Sequence, residues 1–276
     1  MSALGFIGLG QIGKPMAKRW SSWPDGLVVC DVNPDAVASF AKHGATVAAT
    51  PAELAAQVGL LSVMVRDDAQ VSEVVASALT AATPGTVIAI HSTISVATAE
   101  RIEREAAEHG VLVVDAPVSG GGMGAADGRL AVMVGGSDEA FAACESAFAL
   151  FADLVIHAGP IGAGTKMKLA RNLLHFVAFT AVTEAQRLAE AAGLDIAKLG
   201  QVVRHSDAVT GGPGAIMHRD TAAPLSADDP WRPIMEHVVA LGEKDLTLAL
   251  ALARDLGVDV PLAELAQTRL ASGLGL

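Results

Sequence analysis

Three glycines near the N-terminus constrain this chain more than any other feature. They stand in Gly8-Leu9-Gly10-Gln11-Ile12-Gly13, after the short apolar run Ala3–Ile7 and before a helix-like stretch, Lys14–Trp20. A strand that turns at once into a helix over a bound dinucleotide needs this spacing. The first glycine permits the tight turn, the second lets the backbone approach a pyrophosphate that a Cβ would strike, and the third lets the helix pack close. The N–H groups at the helix start, with its dipole, then face the phosphates. A second apolar run, Leu27–Cys30, leads to Asp31, about 20 residues beyond the glycines, where a carboxylate accepts hydrogen bonds from the adenine ribose. A tight strand–helix turn with a capping acid is the plainer reading, but strand, turn, helix and acid together favour the cofactor. Asp31 repels a 2′-phosphate and no arginine follows it directly, which points to NAD; Asn33 leaves NADP possible.

Strand-like and helix-like stretches alternate as far as residue 159. Helices are expected over Pro34–His43, from Thr50-Pro51, from Asp67 or Asp68 to about Ala82, from Ser95 to about His109, and over Asp138–Phe151. Strands are expected at Ala45–Val47, Gly59–Val65, Thr86–Ile90, Val111–Val114, Leu130–Val134 and Leu154–Ile156. The continuous apolar run at 59–65 suits a parallel strand buried on both faces. Beyond Gly159-Pro160 only helices are expected: Gly164–Ala192, Asp195–His205, Pro233–Leu256 and Pro261–Ala271. The fold class is therefore α/β, a Rossmann-type doubly wound sheet followed by an all-α C-terminal domain entered by a long inter-domain helix. The domains are expected at 1–161 and 162–276.

Composition removes several alternatives. A net charge of −11 disfavours nucleic acid and anionic membrane surfaces as partners. No signal peptide or membrane span is evident, so a cytoplasmic protein is expected. Two cysteines, Cys30 and Cys144, are too few for a disulfide framework or a thiolate metal site, and no metal is expected. The chain has no tyrosine, so it cannot use the Tyr–Lys pair of short-chain dehydrogenases. The Cys/His ligand set of zinc alcohol dehydrogenases is also missing.

Candidate chemistry gathers at four places. Gly162-Ala-Gly-Thr-Lys-Met-Lys168 opens the long helix, and Lys168 and Asn172 share one face of it. A lysine facing a cleft loses water, which lowers its pKa and suits it to proton exchange. Most helix lysines are simply solvated, as Lys166 is expected to be. Asp115-Ala-Pro-Val-Ser119-Gly120-Gly121 ends a strand where open α/β sheets bind ligands. Its bare N–H groups and the Ser119 hydroxyl suit a carboxylate, although a flexible glycine turn accounts for it equally well. Thr93, in His91-Ser-Thr-Ile-Ser95, either meets a nicotinamide or caps a helix. Lys244 either reaches the cleft or belongs to a solvated face.

Taken in order, Gly5–Met16, Ser92–Ser95, Asp115–Gly121, Gly162-Ala-Gly-(x)3-Lys168-(x)3-Asn172 and Lys244-Asp-Leu246 resemble the β-hydroxyacid dehydrogenase family. That family includes 3-hydroxyisobutyrate dehydrogenase and tartronate semialdehyde reductase, with a more distant likeness to 6-phosphogluconate dehydrogenase. The resemblance implies that Lys168 is the general acid/base and that Asn172 orients it or the substrate. It implies that Ser119, Gly120 and Gly121 hold the carboxylate of a small substrate. Thr93 would touch the nicotinamide ribose or the substrate. Lys244 and Val65 would join Gly8, Leu9, Gly10, Gln11, Ile12, Gly13 and Asp31 around the cofactor. A homodimer or homotetramer is implied too, in keeping with the apolar run Leu173–Val182. Imine reductases share the fold but usually carry Asp or Tyr in place of this lysine. Arg171, where many members have asparagine, and the unusual stretch Ser206–Trp231 depart from the family. Reduction of another small carbonyl or an imine, and non-catalytic NAD binding, are the alternatives.

Overall fold

A computed structural model describes residues 2–276. Contacts divide the chain into two compact units, one ending at Asn172 and the other running Leu173–Leu276. The division falls inside the longest helix, α8 (Ala163–Ala191).

The first unit begins with β1 (Leu4–Ile7), α1 (Gly13–Arg19), β2 (Leu27–Cys30), α2 (Pro34–Ala41), β3 (Thr46–Val47), α3 (Pro51–Ala55), β4 (Leu60–Val63), α4 (Asp68–Leu79), β5 (Val87–Ile90), α5 (Val96–Ala107) and β6 (Leu112–Asp115). These six strands pair in parallel in the order β3-β2-β1-β4-β5-β6. Helices start where the sequence supplies caps: the side chains of Asn33, Thr50, Asp67, Ser95 and Ser137 each accept a backbone N–H of the helix that follows. Alternate strand residues enter two separate cores. Leu4, Phe6, Leu27 and Val29 lie on one face of the sheet, Ile7, Val28, Cys30 and Ile88 on the other. Burial on both faces is why these strands read as unbroken apolar runs.

After β6 the path differs from a simple βαβ repeat. A two-residue strand, β7 (Val118–Ser119), and a short helix, α6 (Gly121–Asp127), precede β8 (Leu130–Gly135). β8 runs antiparallel to both β6 and β7, and β9 (Ala152–Gly159), reached through α7 (Asp138–Phe148), runs parallel to β8. Sequence reading finds only a glycine turn at α6. Gly121, Gly122 and Gly124 are poor helix formers, and only Ala125 of this helix is buried, so no apolar period marks it.

The second unit contains the rest of α8, α9 (Ile196–Thr210), a 3₁₀ turn (Gly212–Ile216), α10 (Arg232–Leu256) and α11 (Pro261–Gly273). Its buried core is small, with Leu250, Ala253 and Val260 against Leu188, Val258 and Ala263. The buried Glu184 carboxylate on α8 accepts the N–H groups of Leu262 (2.9 Å) and Ala263 (3.0 Å), which caps α11. Among the described residues no helix is long and apolar enough to cross a membrane.

His91 ties the centre of the sheet together. It is 1% exposed and packs against Phe6, Phe148 and Phe151. Its Nδ1 stands 2.7 Å from the Ala116 carbonyl, an acceptor only, so Nδ1 carries the hydrogen. Nε2 then accepts the Ser62 hydroxyl at 2.8 Å. Burial disfavours the imidazolium and pulls the pKa down to about 4, against the Ala116 bond that raises it. The neutral ring therefore contributes stability above its ordinary value of 6.5, and that contribution is lost as pH falls from there toward 4. About 3 kcal/mol is involved at about 1.36 kcal/mol per unit. Urea midpoints of wild type and His91→Gln, compared between pH 7 and 4.5, are expected to show a shallower decline in the variant. Parallel slopes would exclude His91 as the titrating group.

Candidate functional site

The first cluster surrounds the turn from β1 into α1. Gly8 has φ +93°, and a Cβ there would overlap the Met64 carbonyl; a Cβ on Gly13 would overlap the Gly8 carbonyl. Both glycines are thus required by the protein's own packing. Gly10 is different, because a Cβ there meets no protein atom within 4 Å. The space beside it is an open crevice of about 710 Å³, lined by Gly8, Gly10, Gln11, Ile12, Gly13, Asp31, Val32, Met64, Val65 and Arg66. A cavity of about 320 Å³ shares Gly8, Asp31, Val32 and Val65 with it. α1 has no side-chain cap, so its first N–H groups lack a side-chain partner. A bare loop, an uncapped helix start and two connected cavities fit a dinucleotide.

Asp31 does more than the sequence suggests. Its Oδ2 accepts the Leu9 N–H at 2.5 Å and its Oδ1 accepts the Asn33 N–H at 2.8 Å. It therefore fixes the glycine loop to the end of β2. Leu9 contributes a buried side chain, and its N–H is already used. An ionised carboxylate offers about four lone-pair sites, so Asp31 keeps acceptor capacity for ribose hydroxyls. Val65 is held by Ser92, whose buried hydroxyl donates to the Val65 carbonyl (2.7 Å) and accepts its N–H (2.9 Å). Thr93 next to it is exposed, and Ser95 rather than Thr93 caps α5.

The second cluster joins the end of β6 to the start of α8. Asp115 is wholly buried. Its Oδ1 accepts the Gly162 N–H at 2.7 Å and its Oδ2 the Thr165 N–H at 2.6 Å. Burial pushes this carboxyl up from its ordinary range, and the N–H donors oppose the shift. Glycines allow the close approach: a Cβ on Gly164 would overlap the Met133 and Asp115 carbonyls, and one on Gly135 would overlap the Asp115 carboxylate. Lys168 follows one turn along α8 and is only 8% exposed. Its Nζ donates to the Val118 carbonyl at 2.6 Å, which places the amine beside Ser119 and Gly120. Burial, and then the nearby Arg171 charge, hold its pKa below the ordinary lysine value.

Ser119 is half-buried, and Gly120 and Gly121 are exposed with φ of +132° and +66°, a pairing that side-chain-bearing residues rarely adopt. α6 begins on them without a side-chain cap. Its Gly122 lies against the Gln11 carbonyl, 3.0 Å from where a Cβ would sit, so the two clusters touch. Asn172 is half-buried, and its Oδ1 accepts from Arg171 at 3.3 Å. Lys166 is exposed, as expected. Lys244 is on α10 of the second unit, exposed and paired with Asp245 at 3.0 Å. Sequence reasoning missed the clamping roles of Asp115 and Ser92, since their partners lie 27 to 50 residues away.

Asp115→Asn puts an amide NH₂ against one helix N–H in place of a carboxylate oxygen. Leaving one buried donor without an acceptor costs about 1–3 kcal/mol. A lower melting temperature is expected, with NAD(H) affinity retained because Asp115 bonds Gly162 and Thr165 and no residue of the glycine loop. An unchanged melting temperature would show that the clamp contributes nothing.

Comparison with known proteins agrees with this geometry. The profile of the NAD binding domain of 6-phosphogluconate dehydrogenase matches residues 3–159. The profile described as NAD-binding of NADP-dependent 3-hydroxyisobutyrate dehydrogenase matches residues 162–274. An uncharacterised oxidoreductase of Mycobacterium tuberculosis is 55% identical over 99% of this chain and 93% of its own length. A Mycobacterium avium 104 protein provisionally named an oxidoreductase superposes with a TM-score of 0.96 at 52% identity, over 100% of this chain and 99% of that one. The structure of M. tuberculosis 3-hydroxyisobutyrate dehydrogenase with L-serine superposes with a TM-score of 0.70 at 32% identity, over 99% of this chain and 93% of that one. The chain belongs to the β-hydroxyacid dehydrogenase family and is an NAD(P)-binding oxidoreductase of the 3-hydroxyisobutyrate dehydrogenase type.

Proposed function

We propose that the protein catalyses reversible hydride transfer between NAD(P) and a small 3-hydroxy acid, 3-hydroxyisobutyrate-like, or its semialdehyde. The buried Lys168 amine, bonded to the Val118 carbonyl beside the Ser119–Gly121 turn, carries this reading. The related M. tuberculosis enzyme was solved with L-serine, itself a 3-hydroxy acid, which supports the substrate class.

The bound nicotinamide supplies the hydride acceptor or donor. In oxidation, neutral Lys168 takes the proton of the substrate hydroxyl; in reduction, protonated Lys168 returns it to the carbonyl oxygen. The Val118 carbonyl aims the amine. Asn172 orients the amine or the hydroxyl from one helical turn away. The Ser119 hydroxyl and the N–H groups of Gly120 and Gly121 bind the substrate carboxylate, and that anchoring sets the distance of the reacting carbon. Thr93 contacts the nicotinamide ribose or the substrate. Gly8–Gly13, Asp31 and Val65 would hold the cofactor, with Asp31 accepting from its ribose, and Lys244 is a further proposed cofactor residue. The Asp31 carboxylate favours NAD over NADP.

We further infer a homodimer or homotetramer in the cytoplasm. Leu173, Phe176, Val177 and Phe179 on α8 are each more than half exposed, and α9 buries no residue, a larger bare apolar surface than a monomer usually carries.

Lys168→Ala is expected to lower kcat by about 10²–10⁴-fold with little change in NAD(H) affinity; near-wild-type turnover would discard Lys168 as the acid/base. Oxidation needs the neutral amine, so its rate rises with pH through the Lys168 pKa, below the ordinary 10.5, while reduction falls through the same value. A rate–pH profile of wild type with the limb above 10.5 would contradict this assignment. Sedimentation equilibrium is expected to give a mass of at least twice the 28.0 kDa chain, and a monomer alone would reject the assembly.

A further inference from the structure

We propose that Arg66 binds the 5′-diphosphate of the cofactor, as the cation of the glycine-loop crevice. The inference rests on the placement of the dinucleotide along Gly8–Gly13 given above. Arg66 lines the same open crevice as Gly10, Gln11 and Gly13, and among the lining residues it is the only cation and Asp31 the only anion. The loop alone is short of donors for a doubly negative group. The Gly8 N–H is spent on the Cys30 carbonyl at 3.1 Å, and the Leu9 N–H on Asp31. Asp31 also brings a negative charge to the space that the diphosphate must enter.

The backbone that carries Arg66 is locked by side chains. Ser92 Oγ accepts the Val65 N–H at 2.9 Å and donates to the Val65 carbonyl at 2.7 Å. Gln70 Oε1 accepts the Arg66 N–H at 3.1 Å, and Asp67 Oδ1 accepts the Gln70 N–H at 2.9 Å. With these backbone groups occupied, Val65 and Arg66 meet a ligand through their side chains. Val65 offers hydrocarbon, whereas Arg66 offers a guanidinium with five N–H donors. Its ion pair is a weak one: Arg66 Nε stands 3.8 Å from Asp67 Oδ2, and the two side chains are 79% and 52% exposed. Pairs so exposed contribute little, so an anion in the crevice takes the guanidinium at small cost. Two parallel bonds from a guanidinium to phosphate oxygens then add direction to the attraction.

The test uses the full chain and three probes, ADP, adenosine and 2′-AMP, each measured by displacement of NADH followed by its fluorescence. Wild type is expected to bind ADP at least tenfold more tightly than adenosine. Arg66→Gln should cut that ratio about tenfold while adenosine affinity stays unchanged, and Arg66→Lys should keep part of it. A ratio that survives in Arg66→Gln overturns the proposal. So does an equal loss for ADP and adenosine, which would make Arg66 a structural residue only. A loss confined to 2′-AMP also overturns it and moves Arg66 to the 2′ side of the ribose. The two readings fail separately. NADH binding with an unchanged ADP/adenosine ratio discards Arg66 and keeps the glycine loop, whereas a wild type that binds neither NADH nor ADP discards both.

Discussion

The placement of α8, and with it of Lys168, depends on one carboxylate. Asp115, at the end of β6, takes up two N–H groups from the opening turn of α8. An acid at a helix N-terminus satisfies donors that would otherwise have no partner and is favoured by the helix dipole. Here the acid comes from a strand about fifty residues earlier, so the cap also docks the helix. Once 162 and 165 are anchored, residue 168 has little choice of direction, and its side chain lies along the β6–β7 segment. Val118, three residues beyond Asp115, supplies the carbonyl that receives the amine. Two tethers between the same two segments, spaced about one helical turn apart, fix the Lys168 amine beside the β6–β7 segment.

The same device recurs where other parts must keep register. Asp31 fixes the glycine loop by accepting the Leu9 N–H, and Glu184 holds the start of α11 through Leu262 and Ala263. In each case a carboxylate on one element captures backbone donors of another. Charge-assisted bonds of this kind are shorter and stronger than neutral ones. They explain how a chain with few charged core residues still specifies the placement of its loops.

Much of this was legible in the sequence, and for identifiable reasons. Parallel strands buried on both faces leave unbroken apolar runs, and Asn33, Thr50, Asp67 and Ser95 announce helix starts by local side-chain bonds. The glycine spacing at 8, 10 and 13 is legible because two of its members are forced by packing against Met64 and Gly8 itself. What escaped is non-local or aperiodic. α6 hides in Gly121-Gly-Met-Gly124, and the antiparallel turn at β7–β8 rests on two residue pairs. The clasp of Ser92 on Val65 and the clamp of Asp115 on α8 cannot be read from spacing, since nothing in a strand end names a partner dozens of residues away.

Lys168 shows why burial and chemistry are hard to separate here. An ammonium removed from water is costly unless its donors are satisfied, and a single carbonyl satisfies only one of its three. Burial, and then the nearby Arg171 charge, disfavour the charged form. Lys166, two residues before it on α8, is exposed and keeps its water. The glycines at 135 and 164 therefore bear on the placement of this amine as well as on packing. By letting α8 approach the sheet they set the depth at which the amine is buried.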